Sequence, residues 1–229
     1  MEKALYTEKQ GVYNGNVSRI CIKGDGMAVY DQDIRCALIK SFRTIPEYQT
    51  DTIIINEFDV CGGISRVDVA VVNGQLHGYE IKSERDNLER LPSQIDSYNL
   101  VFDTMTVVVS KNHIDKIKDM VPKWWGVQYV TGTADKLTLH TKRKARPNKA
   151  VDAFRVAQLL WRDELIAILD QNTAIKHAYR SKTQCALATL AAQAFPAKEL
   201  EGYVRECLKA RKDWKSVPVT SQCDDWCNM

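Results

Sequence analysis

No apolar run in this chain approaches the roughly 18 to 20 residues that cross a bilayer, so no membrane-spanning helix is expected. The opening "MEKALYTEKQ" is charged and has none of the apolar core of a secretion signal, which makes the cytoplasm the expected location. The seven cysteines, at 21, 36, 61, 185, 207, 223 and 227, lack the paired spacing of a disulfide framework or a zinc site. Only Cys223 and Cys227 lie close, and one C-x3-C without a second ligand pair reads as two reduced thiols. There is no internal repeat and no low-complexity segment. Neither a cysteine-histidine nor a serine-histidine constellation stands out for nucleophilic catalysis. "GDG" at 24 to 26 lacks the lysine and spacing of a phosphate loop and reads as a turn.

What is present is an ordinary globular composition, 45% hydrophobic and 27% charged over 229 residues, enough to bury a real core. The net charge is only +3, but its distribution is uneven. Residues 1–140 carry 16 Lys and Arg against 19 Asp and Glu, whereas residues 141–215 carry 16 against 8. Such a late basic surplus suits contact with a phosphate backbone, although solvated helix faces carry Lys and Arg as well.

Periodicity predicts a helix in "DQDIRCALIKSFRTI", with Asp31 or Asp33 capping its start. Strands follow in "DTIIINEFDV", "SRVDVAVV" and "LHGYEIKS", then a helix in "LPSQIDSYNLVF" and a strand buried on both faces in "TMTVVVS". A short helix in "HIDKIKDMVP" and strands in "VQYVTG" and "KLTLHT" complete the first part. The expected fold is therefore α/β, with a mixed central sheet flanked by helices in the order α-β-β-β-α-β. The basic run Lys142, Arg143, Lys144, Arg146 and Lys149 is read as a boundary and as the nucleic-acid-binding segment. Expected units are residues 1–146, a helical basic extension at 147–215 built from three helices, and a tail at 216–229.

The stretch "RVDVAVVNGQLHGYEIKSE" at 66 to 84 carries the chemistry. Residues two apart in a strand share a face, so Glu80 and Lys82 point one way and Tyr79 and Ile81 the other. A plain two-residue Asn73-Gly74 turn would set Asp68 opposite residue 79 and turn Glu80 away from it. A three-residue loop at 73–75, or a bulge near Gly78, sets Asp68 opposite Glu80 instead. Two carboxylates directly opposed, with Cβ atoms roughly 4.5 to 5.5 Å apart, call for a cation. A hard ion such as Mg2+, with Mn2+ as a substitute, takes carboxylate ligands and retains water. Lys82 would orient that water or stabilise charge on a phosphoryl group. His77 is read as packed rather than catalytic, Glu84 as solvated, and His113 as without a visible partner.

Asp68 followed by "EIK" at 80 to 82, within this element order, resembles the PD-(D/E)XK nuclease superfamily. The resemblance implies a restriction-endonuclease-like core that hydrolyses DNA, sometimes RNA, with Mg2+. It makes Asp68 and Glu80 metal ligands and Lys82 catalytic. The proline that names the motif is absent, since Arg66 and Val67 precede Asp68. "QIDSY" resembles the Q-x3-Y motif of RecB-type members, which implies that Gln94 and Tyr98 lie near the active site. Glu57 would be the further acidic ligand, with Asp31 and Asp33 as rivals. The match covers about residues 30 to 110, and the wider run 78–99 looks like a poorly characterised bacterial and phage branch. The expected function is a metal-dependent deoxyribonuclease with nucleic acid, DNA before RNA, as partner. The alternatives are a non-catalytic nucleic-acid-binding module, and C-terminal helices that pair with a second copy or another protein.

Overall fold

Apolar residues alternate along the strands, and the alternation divides the core into two layers with a sheet between them. The computed structural model describes residues 29–134, 136–172, 177–212 and 214–219. Its strands are β1 (Ile53–Val60), β2 (Ser65–Val72), β3 (Leu76–Lys82), β4 (Thr104–Ser110), β5 (Gly126–Thr133), β6 (Lys136–Arg143) and β7 (Ser216–Pro218). They form one mixed sheet in the order β6-β5-β4-β3-β2-β1-β7. Strands β3, β4 and β5 are parallel, and the other neighbours are antiparallel. The expected mixed α/β architecture is the observed one.

Helix α1 (Asp31–Phe42) covers one face, where Ile34, Leu38, Ile39 and Phe42 meet Ile54, Val69, Val71, Tyr79, Ile81 and Val108. The other face is covered by α2 (Leu91–Asn99), α3 (Ile114–Met120), α4 (Ala153–Ala157), α5 (Arg162–Asp170), α6 (Gln184–Ala194) and α7 (Ala197–Ala210). One apolar cluster runs from Ile55, Ala70, Val107 and Val109 on that face into Leu165, Leu187, Leu200 and Leu208 of the C-terminal helices. The continuous run "TMTVVVS" is buried at every position, as its lack of alternation predicts.

Two elements depart from expectation. The stretch 151–169 is two helices, because "LLW" is apolar all round and cannot remain on one helical stripe. Leu159 and Leu160 are buried outside both helices, and the Leu159 and Leu160 carbonyls accept hydrogen bonds from Arg211 and Gln184. Glu164 restarts the helix by accepting from the Trp161 amide at 2.7 Å. The second departure is β7, formed within the expected tail by pairing Ser216–Pro218 with Ile53–Ile55. Cys223, Cys227 and the turn at 24–26 lie outside the described residues. Among the described residues Cys61, Cys185 and Cys207 are free thiols. Among the described residues no helix is long and apolar enough to cross a membrane.

Candidate functional site

The β2–β3 connection decides which charges meet. Val72 pairs with Leu76, Val71 with His77, Ala70 with Gly78 and Val69 with Tyr79, which leaves the three-residue loop 73–75. The Asn73 amide donates to the Gln75 carbonyl at 3.0 Å, and Asn73 Oδ1 accepts from the Gln75 amide at 2.9 Å. This odd count leaves Asp68 and Glu80 as the next residues beyond the last pair, Val69 with Tyr79, and both line a cavity of about 550 Å3. No bulge at Gly78 is used, and a Cβ there would meet the Met105 sulfur at 2.3 Å.

Asp68 stands at a gap in one ladder and just past the end of another. On β1 the pairs Asn56–Val69 and Phe58–Val67 skip Glu57, whose φ of 51° is left-handed. That conformation shifts the pleat, so Val67 packs in the layer opposite to Val69 and not beside it as strict alternation predicts. On the other side the β2–β3 ladder ends at Val69, and Asp68 Oδ2 accepts the free Ile81 amide at 2.6 Å. Through this break Arg35 of α1 reaches the site. Its Nη2 lies 2.6 Å from Glu57 Oε1, 3.2 Å from Asp31 Oδ2 and 3.5 Å from Asp68 Oδ1, while Nη1 donates to the Asp68 carbonyl at 3.0 Å. Burial works against the Arg35 charge, but Asp31, Asp68 and Glu57 outweigh it and hold the guanidinium more firmly protonated.

A second network lies on the α2 side. Glu80 is 1% exposed, and its Oε1 accepts from Lys82 Nζ at 2.6 Å and from Gln94 Nε2 at 2.7 Å. The Tyr98 hydroxyl lies 2.9 Å from Glu80 Oε2 and 2.6 Å from the Arg66 carbonyl, and Lys82 Nζ also donates to Gln94 Oε1 at 3.2 Å. Gln94 and Tyr98 reach Glu80 together because they are one turn apart on α2. Burial, Glu80 and Asp31 push the Asp68 carboxyl well above the usual carboxylate range, and burial raises Glu80 against the pull of Lys82.

The structure thus gathers Glu57, Asp68, Glu80, Lys82, Gln94 and Tyr98 into one site. The residue that sequence reasoning missed is Arg35, whose only signal is its i,i+4 spacing from Asp31. His77 is on the opposite face, stacked on Tyr79 at 4.2 Å, bonded to Thr106 Oγ1, and pushed down to about 3 by burial.

A divalent ion requires free carboxylate oxygens that converge. Here a guanidinium already lies among Asp31, Glu57 and Asp68, and the Glu80 oxygens are engaged by Lys82, Gln94 and Tyr98. Among the described residues no group of three or more His, Cys, Asp or Glu side chains forms a metal cluster. The donor set as arranged does not fit Mg2+.

None of the five basic residues Lys142, Arg143, Lys144, Arg146 and Lys149, at the end of β6 and just beyond it, lines this cavity. Arg143 donates to the carbonyls of Trp125 at 2.8 Å and Pro122 at 3.0 Å, so its guanidinium holds the segment to the body of the protein. Lys142, Lys144, Arg146 and Lys149 are exposed.

No solved structure matches the chain. Protein cII of Enterobacteria phage P4 is 28% identical over 141 residues, which are 62% of this chain and 53% of that protein. The chain therefore spans about half the length of the curated relative it matches. The family model for bacteriophage P4 protein cII matches residues 26–220. These two matches overturn the PD-(D/E)XK resemblance, and with it the expected deoxyribonuclease and the nuclease, hydrolase and metal-binding character it implied. A strand pair bearing Asp68 and "EIK" is too short a pattern to define a superfamily, whereas the family match extends over most of the sheet and the C-terminal helices: the chain belongs to the bacteriophage P4 protein cII family.

Proposed function

We propose that the protein is a nucleic-acid-binding protein without turnover, which grips the phosphate backbone through the end of β6 and the segment that follows it. The observation that carries this reading is an ordered basic ridge. Residues 144–150 have no regular secondary structure, yet the chain is fastened along its length. The Arg146 amide donates to the Trp124 carbonyl at 2.8 Å, and the Asn148 amide donates to the Asp103 carbonyl at 2.8 Å. Asn148 Nδ2 donates to the carbonyls of Asn99 and Phe102 at 2.7 and 2.9 Å. Gly126 admits the segment, since a Cβ there would lie 3.0 Å from the Ala145 nitrogen.

Four cations, Lys142, Lys144, Arg146 and Lys149, thus face solvent from a fixed backbone, so binding forfeits little chain entropy. The closed ion-paired network at Glu80 and Lys82 supports a structural role for the cavity beside it. The test is fluorescence anisotropy of labelled DNA and RNA over a salt series. Affinity should fall linearly on a logarithmic salt scale, with intact strands recovered after incubation with Mg2+. Lys142→Glu with Lys144→Glu should weaken all sequences alike and lower the salt slope by about one per lysine. Absence of binding at low salt would end this reading.

A further inference from the structure

Beside the ridge, the β5–β6 hairpin carries a feature that phosphate contact alone does not use. Tyr129 pairs directly with His140 across the two strands, and their rings stack with centroids 4.9 Å apart at 20°. His140 Nε2 is held by Thr131 Oγ1 at 2.8 Å, which fixes the imidazole against the tyrosine. Along the same face the pairs Thr131–Thr138 and Thr133–Lys136 continue toward the hairpin tip. Thr133, Lys136 and Thr138 are exposed, and Tyr129 and His140 are half-buried. At the other end the register shifts between Val127 and Gln128, and Lys142 is the extra residue that begins the basic run. Along β6 the chain therefore leads from Lys136 past an ordered aromatic pair to Lys142 at the bulge, and beyond the strand to Lys144, Arg146 and Lys149.

Lysines on an edge strand discourage sheet-to-sheet pairing, and a cross-strand ring pair supports a hairpin. Those roles need neither the continuity with the ridge nor the hydroxyl-rich, open surroundings. In a duplex the base faces are covered by their neighbours, while a single strand can offer them to a ring. We propose that the ligand is single-stranded nucleic acid, its phosphates on Lys142, Lys144, Arg146 and Lys149 and a base stacked on the Tyr129–His140 pair. This rests on the nucleic-acid reading above.

The experiment uses the full chain, a labelled oligothymidylate of about 20 nucleotides, a duplex of equal length, and polyphosphate as a polyanion without bases. The single strand should bind at least about tenfold more tightly than the duplex. Tyr129→Leu and His140→Gln, the latter keeping a partner for Thr131, should each remove most of that preference and leave duplex affinity unchanged. In the wild type, His140 ring resonances should shift with oligothymidylate and remain still with polyphosphate, a readout independent of whether either variant folds. Equal affinity for the two strand forms, or ring resonances that respond alike to both polyanions, overturns the stacking proposal and leaves the phosphate reading standing. A wild type that binds neither strand form overturns both.

Discussion

Lys82 and Glu80 form a buried ion pair at the cavity wall, and such a pair is costly to break from one side because the remaining charge is poorly solvated. Lys82→Met should destabilise the protein by about 3 to 5 kcal/mol. Adding Glu80→Gln should restore most of the loss, because glutamine remains bonded to Tyr98 and Gln94 without a charge. Urea midpoints for the two single variants and the double variant decide this, and a Lys82→Met protein as stable as the wild type refutes it. Asp68 makes the opposite contribution. Its carboxyl is raised in the folded state, so the native protein binds the proton more readily than the unfolded chain. Stability from this group is full below the ordinary carboxylate pKa and is lost as pH rises through the raised value. Asp68→Asn should therefore gain stability over the wild type at pH 8, and the gain should vanish toward pH 4. His77, pushed down to about 3, contributes in the reverse sense, losing stability as pH falls below its ordinary value, and it cancels in the difference between variant and wild type. The approach of Asp68 and Glu80 to one cavity was legible from strand parity plus one loop residue. Arg35 was not, because its i,i+4 spacing from Asp31 does not foretell that its guanidinium reaches Glu57 and Asp68 on the strands.

Strands β1 to β6 and helices α1, α2, α6 and α7 were legible because each segment presents an apolar period that its burial requires. The division between α4 and α5 was hidden, since a run apolar on all sides satisfies both one long helix and two short ones. The phase shift at Glu57 was hidden as well, because left-handed backbone at a glutamate leaves no mark in residue type. Its cost is measurable. Glu57→Ala and Glu57→Gly both remove the contact with Arg35, but glycine accepts φ of 51° without a Cβ clash. The glycine variant should be more stable than the alanine variant by about 1 kcal/mol. Thermal melts of the two variants test this, and equal melting temperatures would show that the strand carries no strain there.

Across the whole molecule, family membership extends from α1 to β7, while the chain spans only about half of the P4 relative. The fold class followed from the order of elements, and the function did not, since a charged hairpin face is compatible with catalysis, binding or pure ion pairing. The two ends of the sheet are protected differently, β6 by its lysines and β1 by the three residues of β7. A chain truncated after Lys215 should melt at lower temperature and aggregate on refolding, as followed by light scattering, and unchanged scattering would show that β7 is dispensable. The pairing of Ile53–Ile55 with Ser216–Pro218 also orders events in time. During synthesis β1 emerges early and cannot acquire its outer neighbour until every C-terminal helix has left the ribosome. For that interval the nascent sheet has an open side, and its closure is among the slowest of its contacts to form, because the connection between the two strands, residues 61–215, is about two thirds of the protein.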